Sequence, residues 1–322
     1  MWGTSIRAFT ISMRTKIPAL LAAGMMVGIA PAHSDSTGPR LGAYYDEFVA
    51  LCDGAVLEWR AGEPPRRTIS GVRQVGIGKR MRYGLRDDGA LLAWNENPAQ
   101  ALKLMDDVRQ FHAGFTALLV IRSDGSLWHI DIRQLPLIGE IGFDDPRLLA
   151  NDVVTASVGD GANYYVNREG TLFVHGRAHR GQYGDGRLES TDGYVPTAED
   201  VRVVVSHTGH ALHLKQDGSV WGTGGNIYGP LASHGFGDKA TRWGKLMDDV
   251  AAIATGASHS LAIRSDGSLW TWGRDEGLAP TRLLENVGEA AAGTDHSAAL
   301  ADGALWFWRR GERPVRIQAC PD

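Results

Sequence analysis

Residues Gly256–Gly273 read GASHSLAIRSDGSLWTWG. Leu269, Trp270, Thr271 and Trp272 alternate with the two-residue period of a strand whose faces differ, and an Asp-Gly pair stands just before them. Asp-Gly between two apolar runs is a hairpin signal, because a two-residue type I′ turn needs positive φ at both central residues. The same device recurs as LCDGAVLEW at Asp53, RDDGALLAW at Asp88, RSDGSLWHI at Asp124, NREGTLFVH at Glu169, KQDGSVWGT at Asp217, RSDGSLWTW at Asp266 and LADGALWFW at Asp302. The seven copies are spaced 35, 36, 45, 48, 49 and 36 residues apart. Most are preceded by a glycine (Gly78, Gly114, Gly159, Gly256, Gly293) behind a Val- or Ala-rich segment, and followed by another short apolar segment such as PTRLLENV. Each unit therefore reads strand, Gly turn, strand, hairpin, strand, loop, strand. Four short strands per unit of this length is the arithmetic of a propeller blade. Seven units predict an all-β, seven-bladed β-propeller of four-stranded antiparallel blades.

Composition agrees. The chain has 322 residues, 41 glycines, 10 tryptophans and a formal charge of -4, so turns abound and an electrostatic case for nucleic acid is missing. Residues 1–32 read as a signal peptide. Arg14 and Lys16 precede an apolar run from Ile17 to Ile29 that closes on Ala30-Pro31-Ala32, with either Met1 or Met13 as the start. The run is too short for a membrane anchor. The expected mature chain, 33–322, is one propeller domain in the periplasm or outside the cell, monomeric and not inserted in a membrane. Loss of Arg7, Arg14 and Lys16 makes it more acidic.

The units resemble the repeats of the regulator of chromosome condensation family. The resemblance is fullest at Gly256, His259, Ser260, Leu261, Asp266, Gly267, Trp272 and Gly273, and two copies carry its glycine-rich tail, GRAHRGQYGDG from Gly176 and GGNIYGPL from Gly224. It spans about residues 44 to 320 and is weakest in the first unit, where Tyr44 replaces glycine. The family includes a chromatin-bound nucleotide exchange factor for a small GTPase, a role at odds with an export signal. Exported bacterial propellers with similar repeats include β-lactamase inhibitor proteins that grip an enzyme with one face. A shared fold does not transfer either role.

In a closed ring of such blades the first and last are neighbours. Cys52 lies in the second-to-third strand hairpin of the first and Cys320 at the end of the last strand of the seventh, both on the same side of the ring. Export permits oxidation and there are only two cysteines, so a Cys52–Cys320 disulfide is expected to close the ring.

Most conspicuous residues have structural readings. Eight tryptophans (59, 94, 128, 221, 270, 272, 306, 308) lie four or six residues after the hairpin acid, on one strand face, and are expected to pack against the neighbouring blade. His210, His259 and His296 share a slot filled elsewhere by Met81, Ala117 and Ala162, which suits a histidine tying down its turn better than a catalyst. His175 and His179 are four apart on a strand and its loop, a poor metal spacing. No G-x-S-x-G, H-E-x-x-H, P-loop or EF-hand pattern occurs, and the hairpin acids are dispersed by the repeat. The expectation is no enzyme, no metal and no cofactor.

Function is then sought in what the repeat does not explain. The long spacings place extra residues between third and fourth strands of three successive blades, roughly Ile130 to Asp145, Arg177 to Tyr194 and Gly222 to Lys245, on the face opposite the cysteines. They hold Phe143, Arg180, Tyr183, Tyr194, Tyr228, His234, Arg242 and Trp243, residue types enriched at interface hot spots, and Trp243 fits no repeat slot. These eight are the candidate contacts for an unidentified protein partner. The competing readings are loops closed by their own side chains, and a propeller that binds or hydrolyses carbohydrate or cell wall through its central channel.

Overall fold

The computed structural model describes residues 39–320 except 79–80, 96, 115, 135–140, 160 and 233–236. The proposed signal peptide and His234 thus lie outside the described residues. Seven antiparallel sheets follow one another along the chain, spanning 41–70, 72–105, 108–150, 153–198, 201–247, 250–284 and 287–319. Each is built from consecutive strands, so the expected seven-bladed propeller is the observed fold and no strand is exchanged between its ends. The third blade adds a short strand, Ile141–Phe143, on the far end of its third strand. The first strand, Leu41–Tyr44, pairs in register with Glu47–Cys52, so the divergent first unit still supplies an inner strand. Cys52 and Cys320 form the expected disulfide, with Cα atoms 5.0 Å apart and a sequence separation of 268 residues.

The hairpins differ from one common type. Asp53-Gly54 and Asp302-Gly303 have positive φ at both residues, as a two-residue type I′ turn requires. At the other five only the glycine is left-handed, for instance Gly267 at φ 80°. There Arg264 N–H bonds the Ser268 carbonyl and Gly267 N–H the Arg264 carbonyl, which makes a three-residue loop ending in a left-handed glycine. The extra residue ahead of the acid (Asp87, Ser123, Arg168, Gln216, Ser265) causes the change, and it frees the carboxylate to act as a cap. Asp266 Oδ1 accepts from both the N–H and the hydroxyl of Ser268, and Asp124 and Asp217 repeat this with Ser126 and Ser219.

The tryptophans divide by position. Those six residues past the acid are buried against the preceding blade. Trp94 packs with Val49 and Val56, Trp272 with Val203 and Leu212, Trp308 with Leu261 and Ile263, and Trp59 with Leu300 and Leu305 across the ring closure. Those four residues past it are half-buried. Trp128, Trp221 and Trp270 give their indole N–H to the capping serine of their own hairpin, and Trp306 to the Ala301 carbonyl.

Polar staples join successive blades. Arg73 reaches the Val108 and Arg109 carbonyls, Arg109 those of Val153 and Val154, and Arg202 that of Ala251. Gln74 pairs through its amide with the backbone of Phe111. Two of the three slot histidines, His210 and His259, bond the next blade, where a turn-tying role was expected. His210 Nε2 meets Ser260 Oγ at 3.1 Å, and His259 Nε2 meets Ser297 Oγ at 2.8 Å. Burial holds His210 and His259 down at about 3, so both rings are neutral in the fold.

Candidate functional site: the long-loop face

In this meander the first-to-second and third-to-fourth strand connections share one face of the ring, and the acidic hairpins and the disulfide lie on the other. A cavity of about 340 Å³ occupies the axis, lined by inner-strand residues including Gln110, Thr155, Ser206 and Glu289. Glu289 is half-buried there. Its carboxylate accepts the backbone N–H groups of Arg40 and Leu41, and burial, partly offset by those bonds, pushes it up to about 7.

The long loops of the fourth and fifth blades lean forward over the next blade, whereas Phe143 of the third packs back towards the second. The fourth blade's loop, 177–194, pairs with the outer strand Lys239–Met247 of the fifth: Trp243 N–H bonds the Gly184 carbonyl, Gly186 N–H that of Thr241, and Asp185 and Arg242 form a β-bridge. The fifth blade's loop, 226–238, places the Pro230 carbonyl over the sixth, where it accepts from Ser260 Oγ and Trp272 Nε1. Much of their sequence therefore serves packing.

This sorts the candidates. Tyr183 is buried, its hydroxyl bonded to the Gly176 carbonyl and near Thr191 Oγ1, so it supports the loop from within and offers no surface to a partner. Trp243 belongs to the outer strand. It packs on the fourth blade's core, 4.3 Å from the His213 ring, over Gly184, where a Cβ would lie 2.4 Å from the indole nitrogen. Its missing repeat slot is explained by this filling role. Tyr194 packs between Tyr165 and His175, and burial raises its hydroxyl. Phe143 packs towards Tyr83, 6.4 Å away. Arg180, Arg242 and Tyr228 are exposed, and Arg274 lies 4.6 Å from the centre of the Tyr228 ring.

Sequence reasoning missed Ile227, the most exposed large apolar side chain described, at 73%. Aligning the two glycine-rich tails finds it. Tyr183 falls on Leu231, both buried, while His179-Arg180 falls on Ile227-Tyr228, all four exposed. The tail thus turns one residue inward and two outward. Among the described residues no group of three or more His, Cys, Asp or Glu side chains is placed to hold a metal, and no helix is long and apolar enough to cross a membrane.

Residues 250–276 match the model of the regulator of chromosome condensation (RCC1) repeat. Comparison with curated protein sequences finds no match. Among solved structures, Prp20p of Saccharomyces cerevisiae, described with its binding to Gsp1p and histones, aligns at 19% identity and a TM-score of 0.67 over 79% of this chain and 80% of its own. Human WBSCR16 aligns at 17% identity and the same TM-score of 0.67, over 79% of this chain and 84% of that one. PorZ, a surface component of the type-IX secretion system of Porphyromonas gingivalis, aligns at 11% identity and a TM-score of 0.57 over 91% of this chain and 39% of its own. At these identities the likeness is one of fold.

Proposed function

We propose that this propeller is a non-enzymatic protein-interaction module, exported to the periplasm or beyond, that grips its partner with the long-loop face. The observation that carries the reading is the outward pair in each glycine-rich tail. Ile227 and Tyr228 stand exposed, with Arg274 over the Tyr228 ring, on a loop anchored by buried Leu231 and by the Pro230 carbonyl, and Arg180 stands exposed on the neighbouring loop anchored by buried Tyr183. An aromatic, an aliphatic and arginines on a rigid base are what an interface anchor requires. A propeller of similar fold, yeast Prp20p, is described as binding proteins. A disulfide across the ring closure suits an oxidising compartment.

The test places a photo-crosslinking amino acid at Ile227 and, separately, at Gln216 on the hairpin face, in cells that produce the protein. A discrete adduct from position 227 that is absent from 216 is expected, and Tyr228→Ala weakens it. Equal labelling from both positions, or a partner captured only through 216, overturns the proposal.

A further inference from the structure

The residue that ends or just follows the third strand occupies an equivalent place in blades four to seven. Its N–H bonds a carbonyl in the inner turn of its own blade: Arg177 to Gly161, Gly225 to Gly209, Arg274 to Ser258 and Arg310 to Asp295. Three of these four are arginine. In the fifth blade, where the residue is glycine, Arg180 arrives from the fourth blade's loop to fill the gap, and a Cβ on Gly209 would lie 2.8 Å from its guanidinium nitrogen. The side chains of Arg177, Arg180 and Arg310 therefore lie against the inner turns of blades four, five and seven, and Arg274 is tied to that of the sixth by its backbone.

Their charges are not equally spent. Arg310 is enclosed, with Asp275 at 3.0 Å and Asp295 at 2.9 Å. Among the described residues Arg274 has only Asp275 in ion-pair range, at 3.9 Å and already bound to Arg310, and its guanidinium lies over Tyr228. Arg177 and Arg180 are exposed and have no carboxylate in ion-pair range among the described residues. The stem of Arg177 lies flat on Gly161, where a Cβ would come within 2.8 Å of its Cδ. Several exposed arginines elsewhere are matched, as Arg67 with Asp53, Arg187 with Asp185 and Arg282 with Glu285, and what sets Arg177 and Arg180 apart from other unmatched ones such as Arg242 is that their stems are seated on the inner turns. An unmatched arc on a chain of net charge -4 is charge left available to an outside anion.

We propose that Arg177, Arg180 and Arg274, with Tyr228 and Ile227 beside them, form a carboxylate-binding arc that receives an acidic segment of a protein partner. The inference rests on the long-loop face being the interface and adds the chemistry of what it meets. The planar guanidinium fork takes a carboxylate through two parallel hydrogen bonds, and the stems of Arg177 and Arg180 are already held against the inner turns, so less freedom is lost on binding. Exposed Ile227 and Tyr228 give apolar side chains of that segment a place to rest. A nucleic acid is disfavoured, since three cations on a negatively charged protein fall short of the phosphate array such binding neutralises.

The test is fluorescence anisotropy with the full oxidised protein and a fluorescein-labelled alternating Glu-Gly peptide, against a Lys-Gly peptide and a single-stranded oligothymidylate. Binding of the Glu-Gly peptide, weakening as salt is raised, is expected. The double reversal Arg177→Glu with Arg180→Glu should weaken it by about tenfold or more, and Arg264→Glu on the hairpin face should change it by less than about twofold. Near-UV circular dichroism identical to wild type shows that the double variant is folded, and Arg177→Gln with Arg180→Gln repeats the measurement without added acid. No binding of the Glu-Gly peptide, tighter binding of the oligothymidylate, or indifference to the double reversal overturns the proposal. If the crosslink from position 227 survives the double reversal undiminished, the interface stands and its acidic occupant does not.

Discussion

The seam between the seventh and first blades and the seams between blades five, six and seven solve the same packing problem differently. At the inner seams the repeat supplies the joint. His210 meets Ser260 and His259 meets Ser297. At the closing seam His296 faces a blade that carries Phe48 where blades six and seven carry serine, and its ring lies parallel to Phe307 at 5.3 Å. Gly288 stands where Arg73, Arg109 and Arg202 reach forward in their blades, so the seventh blade has no arginine staple to extend. The joint is made instead by the disulfide, by Trp59 against Leu300 and Leu305, and by Glu289 holding two backbone N–H groups of the first inner strand. Interior seams are specified by a motif copied along the chain, and the closing seam by residues that occur once. Because no strand is shared between the ends, those single residues carry the closure.

Reducing the disulfide should produce the largest effect. In the chain-entropy model a crosslink over 268 residues contributes about 5 kcal/mol, by limiting the unfolded chain. Urea unfolding of Cys52→Ser/Cys320→Ser against the oxidised protein should show a loss of several kcal/mol, about 5 at most. Hydrogen exchange should quicken in Leu41–Cys52 and Val315–Ala319 while the strands His259–Arg264 and His210–Lys215 stay protected. Uniform quickening around the ring would mean that the closing seam is no weaker than the rest.

Glu289 sharpens the comparison through pH. Its folded-state value, about 7, is above the ordinary 4.5, so the folded protein holds a proton that the unfolded chain releases. That contribution is fully present below about 4.5 and is lost as pH rises through 7, with a ceiling of about 3 kcal/mol. Burial acts oppositely on His210, His213 and His259. Each is held at about 3, so their share is present above 6.5 and is lost as pH falls towards 3. Three histidines outweigh one glutamate, and net stability should fall on acidification below 6.5. Glu289→Gln isolates the seam, because Gln74 at the equivalent place shows that an amide can hold the next blade's backbone. The stability gap between variant and wild type should move in the variant's favour from pH 4.5 to 7, and a flat gap would refute the assignment.

The same contrast explains what was legible in the sequence. Blade number and strand order could be read because Asp-Gly and its flanking alternation recur at fixed distances, and local turn chemistry is written locally. The disulfide followed once the order was known. The histidine bonds were not legible, because Ser260 lies 50 residues from His210 and Ser297 lies 38 from His259, distances that only the ring brings together. The Val-Arg pairs at 72–73, 108–109 and 201–202 were visible repeats whose purpose, reaching the next blade's carbonyls, needed the neighbour. Of the candidate site, Arg180 and Tyr228 were found by residue type, but the same reasoning selected Tyr183 and Trp243, whose size is used to fill space. Residue type reports what a side chain can do, whereas its place in the repeat reports which way it points.

The smallest effect expected is the most discriminating. His259→Ala removes the partner of Ser297, whose hydroxyl is then buried without a bond, and opens a void between blades six and seven. A loss of about 1–3 kcal/mol in urea unfolding is expected. His296→Ala deletes the same residue from the same slot at the closing seam, where no serine waits and the ring is only half-buried against Phe307. Its cost should stay under about 1 kcal/mol. Restoring the motif tests the idea in reverse. Phe48→Ser gives His296 the partner the inner histidines have but forfeits the stacking of Phe48 on Trp59, at 5.4 Å, and its edge contact with Phe307, at 4.9 Å. Since an aromatic removed from a core costs about 3–5 kcal/mol and a hydrogen bond returns about 1, Phe48→Ser should destabilise the protein. If it stabilised, the closing seam would be a degraded copy of the inner ones rather than a joint built on different residues.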